Sequence, residues 1–442
     1  GDREHPANYG RLCVKGTALH ETLGAQGRLL MPRVDGQEVS WEQALTATAE
    51  RLQAQRTAHG PQTVAAYLSG QLLTEDYYVA NKLMKGFIGS ANIDTNSRLC
   101  MASTVAGHKR AFGTDTVPGT YEDLDAADLV VLVGSNLAWC HPVLYQRIVA
   151  AKAARPGMKI VVIDPRRTAS CDGADLHLAV APGGDVALFN GLLNEISQRG
   201  KIDHAFAENV TGLEEAPVSA AGDDLTVTGL GEAELRAFFD LWCGTEKVVT
   251  VFSQGVNQST SGTDKVNAIL NCHLATGRIG RVGMGPFSVT GQPNAMGGRE
   301  VGGLANMLTC HLDLENAEHR ATVQDFWTSP EMPEAAGLKA VDMFRAVGEG
   351  RIKALWIIHT NPAVSMPEAD RVRDAIAGCD FVVVSDVTDR TDTARLADVL
   401  LPAAAWGEKS GTVTNSDRTI SRQRAALPPP GEARPDWEII AE

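Results

Sequence analysis

The order strand, turn, helix, strand occurs twice in this chain at widely separated places, and that repetition restricts the fold more than any single motif does. Residues 127–136, ADLVVLVGSN, form an apolar run closing on Gly-Ser-Asn; an Ala-rich helical stretch then leads to KIVVIDPRRT, residues 159–168. Residues 352–362, IKALWIIHTNP, close on Thr-Asn-Pro, and after EADRVRDAIAG comes DFVVVSDVTDRT, residues 380–391. The next elements also correspond, ADLHLAVAPG from Ala174 with ADVLLPAAAWG from Ala397. Parallel strands need a crossover, so each repeat reads as a βαβ unit. The predicted fold class is α/β, with two doubly wound, Rossmann-like domains.

Open parallel sheets bind ligands beyond the carboxyl ends of their strands, where backbone N–H groups and helix N-termini suit phosphates. Those places hold Gly134, Ser135 and Asn136 in the first repeat and Thr360 and Asn361 in the second. Asp164 and Asp386, at the ends of the second strands, are placed to take ribose hydroxyls. Such residues also cap strands and helices, but their recurrence in two matched units points to two nucleotides. Neither turn is G-x-G-x-x-G, so an ordinary nicotinamide dinucleotide site is unsupported.

A length of 442 residues, 44% hydrophobic and 21% charged, allows several cores. The net charge of −14 provides no basic field for a polyphosphate backbone, and no apolar run is long enough to span a bilayer. Neither nucleic acid nor a membrane is therefore an expected partner. The eight cysteines include no C-x-x-C pair, which excludes a self-contained zinc or iron–sulfur motif. Cys171, Cys243, Cys272, Cys310 and Cys379 read as small buried hydrophobes, and Cys140 and His141 as packing residues beside the first turn. Residues 248–303, rich in Gly, Gln and Asn, read as a surface pressed against a large polar ligand and a poor hydrophobic core. Within residues 69–100, Leu73, Tyr77, Leu83, Met84 and Phe87 are the predicted core face of an amphipathic helix.

The ordered motifs GRLCVKG, SGQLLTEDYYVANKLMKGFIG, TNSRLCMAS, GSNLAWCHP, IDPRRT, SQGVNQS, GPFSVTGQPNAMGGREVGG, TNPAVSMP, WGEKSGTVTNSDR and GEARPDW span essentially the whole chain. Together they resemble the bacterial assimilatory nitrate reductase catalytic subunits of the molybdopterin oxidoreductase superfamily. The resemblance implies two interleaved domains related by a pseudo-twofold and a molybdenum bis(molybdopterin guanine dinucleotide) cofactor. It also implies a [4Fe–4S] cluster in the full-length protein and two-electron reduction of nitrate to nitrite in the cytoplasm. The electron donor would be a reductase subunit, ferredoxin or flavodoxin. A periplasmic-type nitrate reductase, a formate dehydrogenase and a non-catalytic scaffold of the same superfamily remain as alternatives.

By the same resemblance, Cys100 matches the thiolate that ligates molybdenum. Met101 takes the place where formate dehydrogenases generally carry a His. Arg299 is the candidate for drawing in the anion, because guanidinium offers a planar fork to a planar oxyanion, and the alternative is that it pairs with Glu300 or a cofactor phosphate. Lys15, Gln71 and Asn96 match positions touching the pterin or its phosphates. Gly134, Asn136, Asp164, Arg166 and Asp185 are expected to serve the first nucleotide, Gln254 and Gln258 the pterin region, and Asn361, Ser385, Asp386, Lys409 and Asp436 the second nucleotide. Cys13 resembles the last ligand of the cluster, whose partners would lie upstream. The expected domains are residues 1–40 as a remnant of the iron–sulfur domain, 41–97 with 300–400 as the first cofactor domain, and 98–299 as the second. Residues 401–442 would lead towards a further cofactor-binding domain. The chain alone is expected to be inactive.

Overall fold

The structure is a computed structural model that describes residues 2–442. The chain divides into two compact units, one comprising the residues up to Leu19, Cys100–Gly291 and Ser416–Thr419, the other His20–Leu99, Gln292–Asn415 and Ile420–Glu442. In chain order the strands are β1 (Arg33–Val34), β2 (Gln37–Glu38), β3 (Val64–Leu68), β4 (Ile93–Thr95), β5 (Leu129–Val133), β6 (Lys159–Ile163) and β7 (Leu176–Leu178). There follow β8 (Val248–Phe252), β9 (Gly285–Ser288), β10 (Ala354–Ile358), β11 (Phe381–Asp386), β12 (Val399–Pro402), β13 (Gly411–Thr414) and β14 (Ile420–Gln423).

The first unit holds a five-stranded, wholly parallel sheet in the order β7-β6-β5-β8-β9. Strand alternation divides its apolar residues between two faces. Leu129, Val131 and Val133 point to a core with Leu188, Leu192, Phe238 and Trp242, while Val130 and Leu132 join Leu124, Leu144 and Ile148 on the other side. β5 is buried at every position, which is why LVVLV reads as an unbroken apolar run.

The second unit holds a seven-stranded sheet, β2-β1-β12-β11-β10-β3-β4. β12, β11, β10, β3 and β4 run parallel, and β1 joins β12 antiparallel at the edge. Trp41, Tyr77 and Met84 cover one face with Trp356 and Val383; Met343, Phe344 and Ile376 cover the other with Leu355 and Val384. β13 and β14 form a separate hairpin.

The predicted α/β, doubly wound class is therefore observed. The repeats form β5-β6-β7 and β10-β11-β12, and each is extended by two further strands, β8-β9 in one sheet and β3-β4 in the other. Strand order reverses between β5 and β8 in the first unit and between β10 and β3 in the second. Those reversals are the positions at which such sheets open a crevice.

Three sequence expectations are corrected. The helix Thr74–Asn81 runs directly into a π-helical segment, Lys82–Ile88. Leu73, Tyr77 and Met84 are buried and Leu83 is partly buried, but Phe87 is 44% exposed. Each π turn holds about one more residue than an α turn, so the inward face moves off Phe87 and onto Lys85, which is fully buried. Residues 248–303 are also not uniformly a ligand surface. The helix Gly262–Ala275 buries Val266, Ile269, Leu270, Cys272 and Ala275 in the core that holds β5 and β8. Small residues there serve close packing: a Cβ on Gly262 would lie 2.3 Å from Ser103 Oγ and 2.7 Å from Asn257 O. Finally, Cys310 and Cys140 are exposed, whereas Cys171, Cys243 and Cys272 are buried and Cys379 is half-buried. Cys310 occupies the left-handed region, φ 57°, in a tight turn, and Cys140 ends the short surface helix Leu137–Cys140.

Candidate functional site

In the first unit the polar groups gather at the reversal between β5 and β8. The turn after β5 holds Gly134 at φ 51°, and Gly255 N–H donates to Gly134 O at 2.9 Å. A Cβ on either glycine would lie 2.7 Å from the other's Cα, so both positions require the absence of a side chain. Beside this contact, Asn136 Oδ1 accepts from Ser170 Oγ at 3.0 Å, and Asp164 Oδ1 accepts from Arg166 N–H at 2.9 Å. The Arg166 side chain is exposed. Asp185, at the start of the helix Asp185–Gln198, is buried against Lys265 Nζ at 2.7 Å.

Cys100 lies in the first turn of the helix Arg98–Phe112 and is 7% exposed. Its Sγ is 4.0 Å from both Gln254 Nε2 and Thr290 Oγ1, which follow β8 and β9. The backbone at Met101 leaves helical geometry, φ −130° and ψ 23°, just after the thiol. Asn257 fixes the next turn, its Oδ1 accepting from Thr104 N–H at 2.8 Å and Thr104 Oγ at 2.7 Å. The thiol therefore sits at a locally distorted helix start held from β8, facing an amide and a hydroxyl. Gln258 is exposed one turn beyond Gln254. Cys13 is the N-cap of the short helix Val14–Thr17, with Lys15 exposed within it.

Two buried polar atoms at this reversal lack a hydrogen-bond partner among the described residues: Ser135 Oγ and His141 Nδ1. His141 Nε2 lies 2.7 Å from Thr290 O. Burial lowers the His141 pKa despite that carbonyl, which favours the neutral ring. A neutral ring donating from Nε2 leaves Nδ1 as a bare acceptor. A glycine cradle with an unmet hydroxyl and an unmet imidazole acceptor fits a ligand carrying both phosphate and ring N–H groups.

In the second unit the corresponding reversal lies between β10 and β3. Gly70 N–H donates to Asn96 Oδ1 at 2.7 Å, and Asn96 Nδ2 reaches Thr360 Oγ at 3.4 Å. Gln71 is exposed beside them. Asn361 Oδ1 accepts from Thr393 N–H and Oγ, and Ser385 Oγ accepts from Trp356 Nε1 at 2.9 Å. Burial raises the Asp386 pKa, although nearby His359 and the Val387 and Thr388 N–H groups oppose it. Lys409 Nζ is 2.5 Å from Asp436 Oδ2 and 3.3 Å from Asp76 Oδ2, and all three side chains are buried. Lys409 faces both carboxylates, and Asp436 has a second partner in His359 Nε2 at 3.0 Å from its Oδ1. Arg299, 6% exposed, belongs to the helix Ala295–Glu300.

The structure thus brings Cys100 to Gln254, Asn96 to the turn after β3, and Lys409 to Asp436. Asp76, Gly255, Lys265, Thr290 and His359 escape the sequence reading. Asp76 resembles an ordinary first-turn acid, and its Lys409 partner is remote in sequence. Gly255 alone carried a readable signal, as a glycine three residues after the end of an apolar strand.

Two α/β units, each with polar residues gathered at its strand reversal and one with a buried thiol, have the arrangement in which open parallel sheets receive nucleotide-type cofactors. The chain belongs to the molybdopterin oxidoreductase family, matched over residues 28–442. It is similar to the nitrate reductase of Klebsiella oxytoca, at 57% identity over all of this chain and 51% of that protein. The nitrate reductase of Shewanella frigidimarina is 51% identical over all of this chain and 48% of that protein. The chain therefore spans about half the length of these relatives. In fold it resembles acetylene hydratase from Pelobacter acetylenicus, with a TM-score of 0.80 and 21% identity over 99% of this chain and 64% of that one. Among the described residues no helix is long and apolar enough to cross a membrane.

Proposed function

We propose that this chain is the cofactor-holding part of a molybdenum nitrate reductase that converts nitrate, two protons and two electrons into nitrite and water. The carrying observation is the buried Cys100 at a distorted helix start, beside a glycine cradle with unmet polar groups. When bound, molybdenum in a bis(molybdopterin guanine dinucleotide) supplies the two-electron, oxygen-accepting chemistry.

The chain's own residues supply position and field. Cys100 contributes a soft thiolate to the metal. Met101 beside it offers no proton acceptor, which suits an oxyanion substrate better than one that must lose a C–H proton. Arg299 orients the planar anion through its guanidinium. Gly134, Asn136, Asp164, Arg166 and Asp185 serve one nucleotide, and Asn361, Ser385, Asp386, Lys409 and Asp436 the other. Gln71 and Asn96 touch the pterin or its phosphates, and Gln254 and Gln258 serve the pterin region. Cys13 would ligate a [4Fe–4S] cluster in the full-length protein, with Lys15 between cluster and pterin. The wording of residues 69–89 supports the assimilatory, cytoplasmic form, drawing electrons from a reductase subunit, ferredoxin or flavodoxin.

The test is a substrate comparison on the full-length protein with a reduced dye as donor for nitrate and an oxidised dye as acceptor for formate. Nitrite formation in proportion to bound molybdenum, without formate oxidation, supports the reading. Formate oxidation without nitrite formation overturns it.

A further inference from the structure

The π-helical segment Lys82–Ile88 turns a lysine, not an aromatic ring, into the interior of the second unit. Lys85 Nζ donates to three backbone carbonyls: Gly302 at 2.9 Å, Leu304 at 3.0 Å and Met307 at 2.5 Å. Three acceptors match the three protons of an ammonium group, whereas a neutral amine could serve only two. Burial pushes the Lys85 pKa down to about 7, with nearby Asp94 opposing and Arg98 assisting that fall. The acceptors all belong to the loop that leaves the Arg299 helix, where Gly302 N–H donates back to Arg299 O at 3.2 Å. Asn81, one α turn earlier, secures the same loop through Val301 O at 2.7 Å.

A second tie joins this loop to the segment leading into Cys100. Arg98 Nη2 donates to Asn306 Oδ1 at 2.9 Å, and Arg98 Nε pairs with the buried Asp94 at 2.9 Å. Asp94 also accepts from Ala340 N–H at 2.8 Å. One loop, residues 301–307, is thus held at one side by a buried ammonium and at the other by the arginine two residues before Cys100.

We infer that Lys85 is a positioning residue for substrate. By fixing loop 301–307 with Arg98, it holds the end of the helix that carries Arg299, and so sets where that side chain stands within the second unit. This rests on the reading of Arg299 as the nitrate-orienting residue. The π turn has a function in this account, since it turns Phe87 outward and leaves Lys85 at the centre of the face that Asn81 also presents to this loop. Longer π segments are uncommon and frequently mark functional sites.

The test uses the full-length holoenzyme with a reduced dye as donor, and compares Lys85→Met, Lys85→Arg, Asn306→Ala and Arg299→Gln. Hydrogen–deuterium exchange over residues 299–308 reports the loop directly, without reference to turnover. Lys85→Met should raise exchange in that peptide by about tenfold, because three buried carbonyls lose their donor. It should raise the KM for nitrate by a similar factor while kcat changes by less than about threefold. Lys85→Arg should recover part of both effects, and Asn306→Ala should move both in the same direction by a smaller amount. Unchanged exchange and unchanged KM in Lys85→Met would overturn the inference, as would faster exchange with an unchanged KM. If Lys85→Met does not fold, the same two readouts on Asn306→Ala decide. Arg299→Gln separates the two claims: a raised KM with normal exchange upholds the Arg299 reading, whereas an unchanged KM removes it whatever Lys85 does.

Discussion

Gly134 and Gly255 touch backbone to backbone across the reversal of the first sheet, and a Cβ on either would come within 2.7 Å of the other's Cα. The two strand ends can meet there only without side chains. Gly255→Ala should force them apart, with an overpacking cost of about 1–3 kcal/mol. Thermal unfolding of the full-length protein, together with the guanine nucleotide released on denaturation, checks this. The expectation is a lower transition temperature and less nucleotide per chain; wild-type values for both would contradict it.

The Lys409, Asp76 and Asp436 cluster makes a different prediction. Removing the lysine leaves the buried Asp76 without its ion-pair partner and Asp436 with His359 alone, and breaking a buried ion pair costs about 3–5 kcal/mol. Lys409→Met should therefore destabilise strongly in denaturant unfolding. A double variant, Lys409→Met with Asp436→Asn, should recover part of the loss. If the single variant were as stable as the wild type, the burial of these charges would carry no energetic weight.

The same cluster gives a pH signature through His359, whose Nε2 is 3.0 Å from Asp436 Oδ1. Burial opposes a charged imidazole and Lys409 repels it, yet the carboxylates of Asp436 and Asp386 outweigh both and raise its pKa above 6.5. A folded pKa above the unfolded one contributes stability in full below the unfolded value and loses it as pH rises through the folded value. Unfolding temperature should therefore decline as pH rises from 6.5 through that higher value. His359→Gln should remove this part of the slope, and an identical slope in the variant would contradict the assignment.

Arg299→Gln keeps a polar side chain but loses the charged fork. Hydrogen bonds to a charged group contribute about 1.5–3 kcal/mol, so the KM for nitrate should rise by roughly 10- to 100-fold. Initial rates over a wide nitrate range with a dye donor measure it. A change confined to kcat would place Arg299 away from substrate capture.

Much of the fold was legible because strands buried on both faces must be apolar throughout. LVVLV, KIVVI, ALWII and FVVVS announce themselves, and the turns after them carry the glycines and amides that a parallel sheet needs there. The thiol was legible through its motif. Phe87 and Lys85 were not, because a 3.6-residue period was projected through a segment whose hydrogen bonds follow the π pattern. The helix Gly262–Ala275 was misjudged because small side chains favour close ligand approach and close helix packing equally. The Lys409 cluster was hidden for another reason: Asp76 and Asp436 are distant from one another in sequence, and each alone looks like a helix-start acid.

The central claim is that Cys100 gives its thiolate to molybdenum in a nitrate-reducing site, and the most direct measurement is nitrite formed per chain by full-length Cys100→Ala beside the wild type. Molybdenum and guanine nucleotide are quantified on the same samples, and a reduced dye replaces the natural donor. The account predicts that nitrite formation falls to background while guanine nucleotide stays bound, because the nucleotide contacts are spread over many residues and the thiolate is a single one. Wild-type rates of nitrite formation from Cys100→Ala protein containing molybdenum would contradict it.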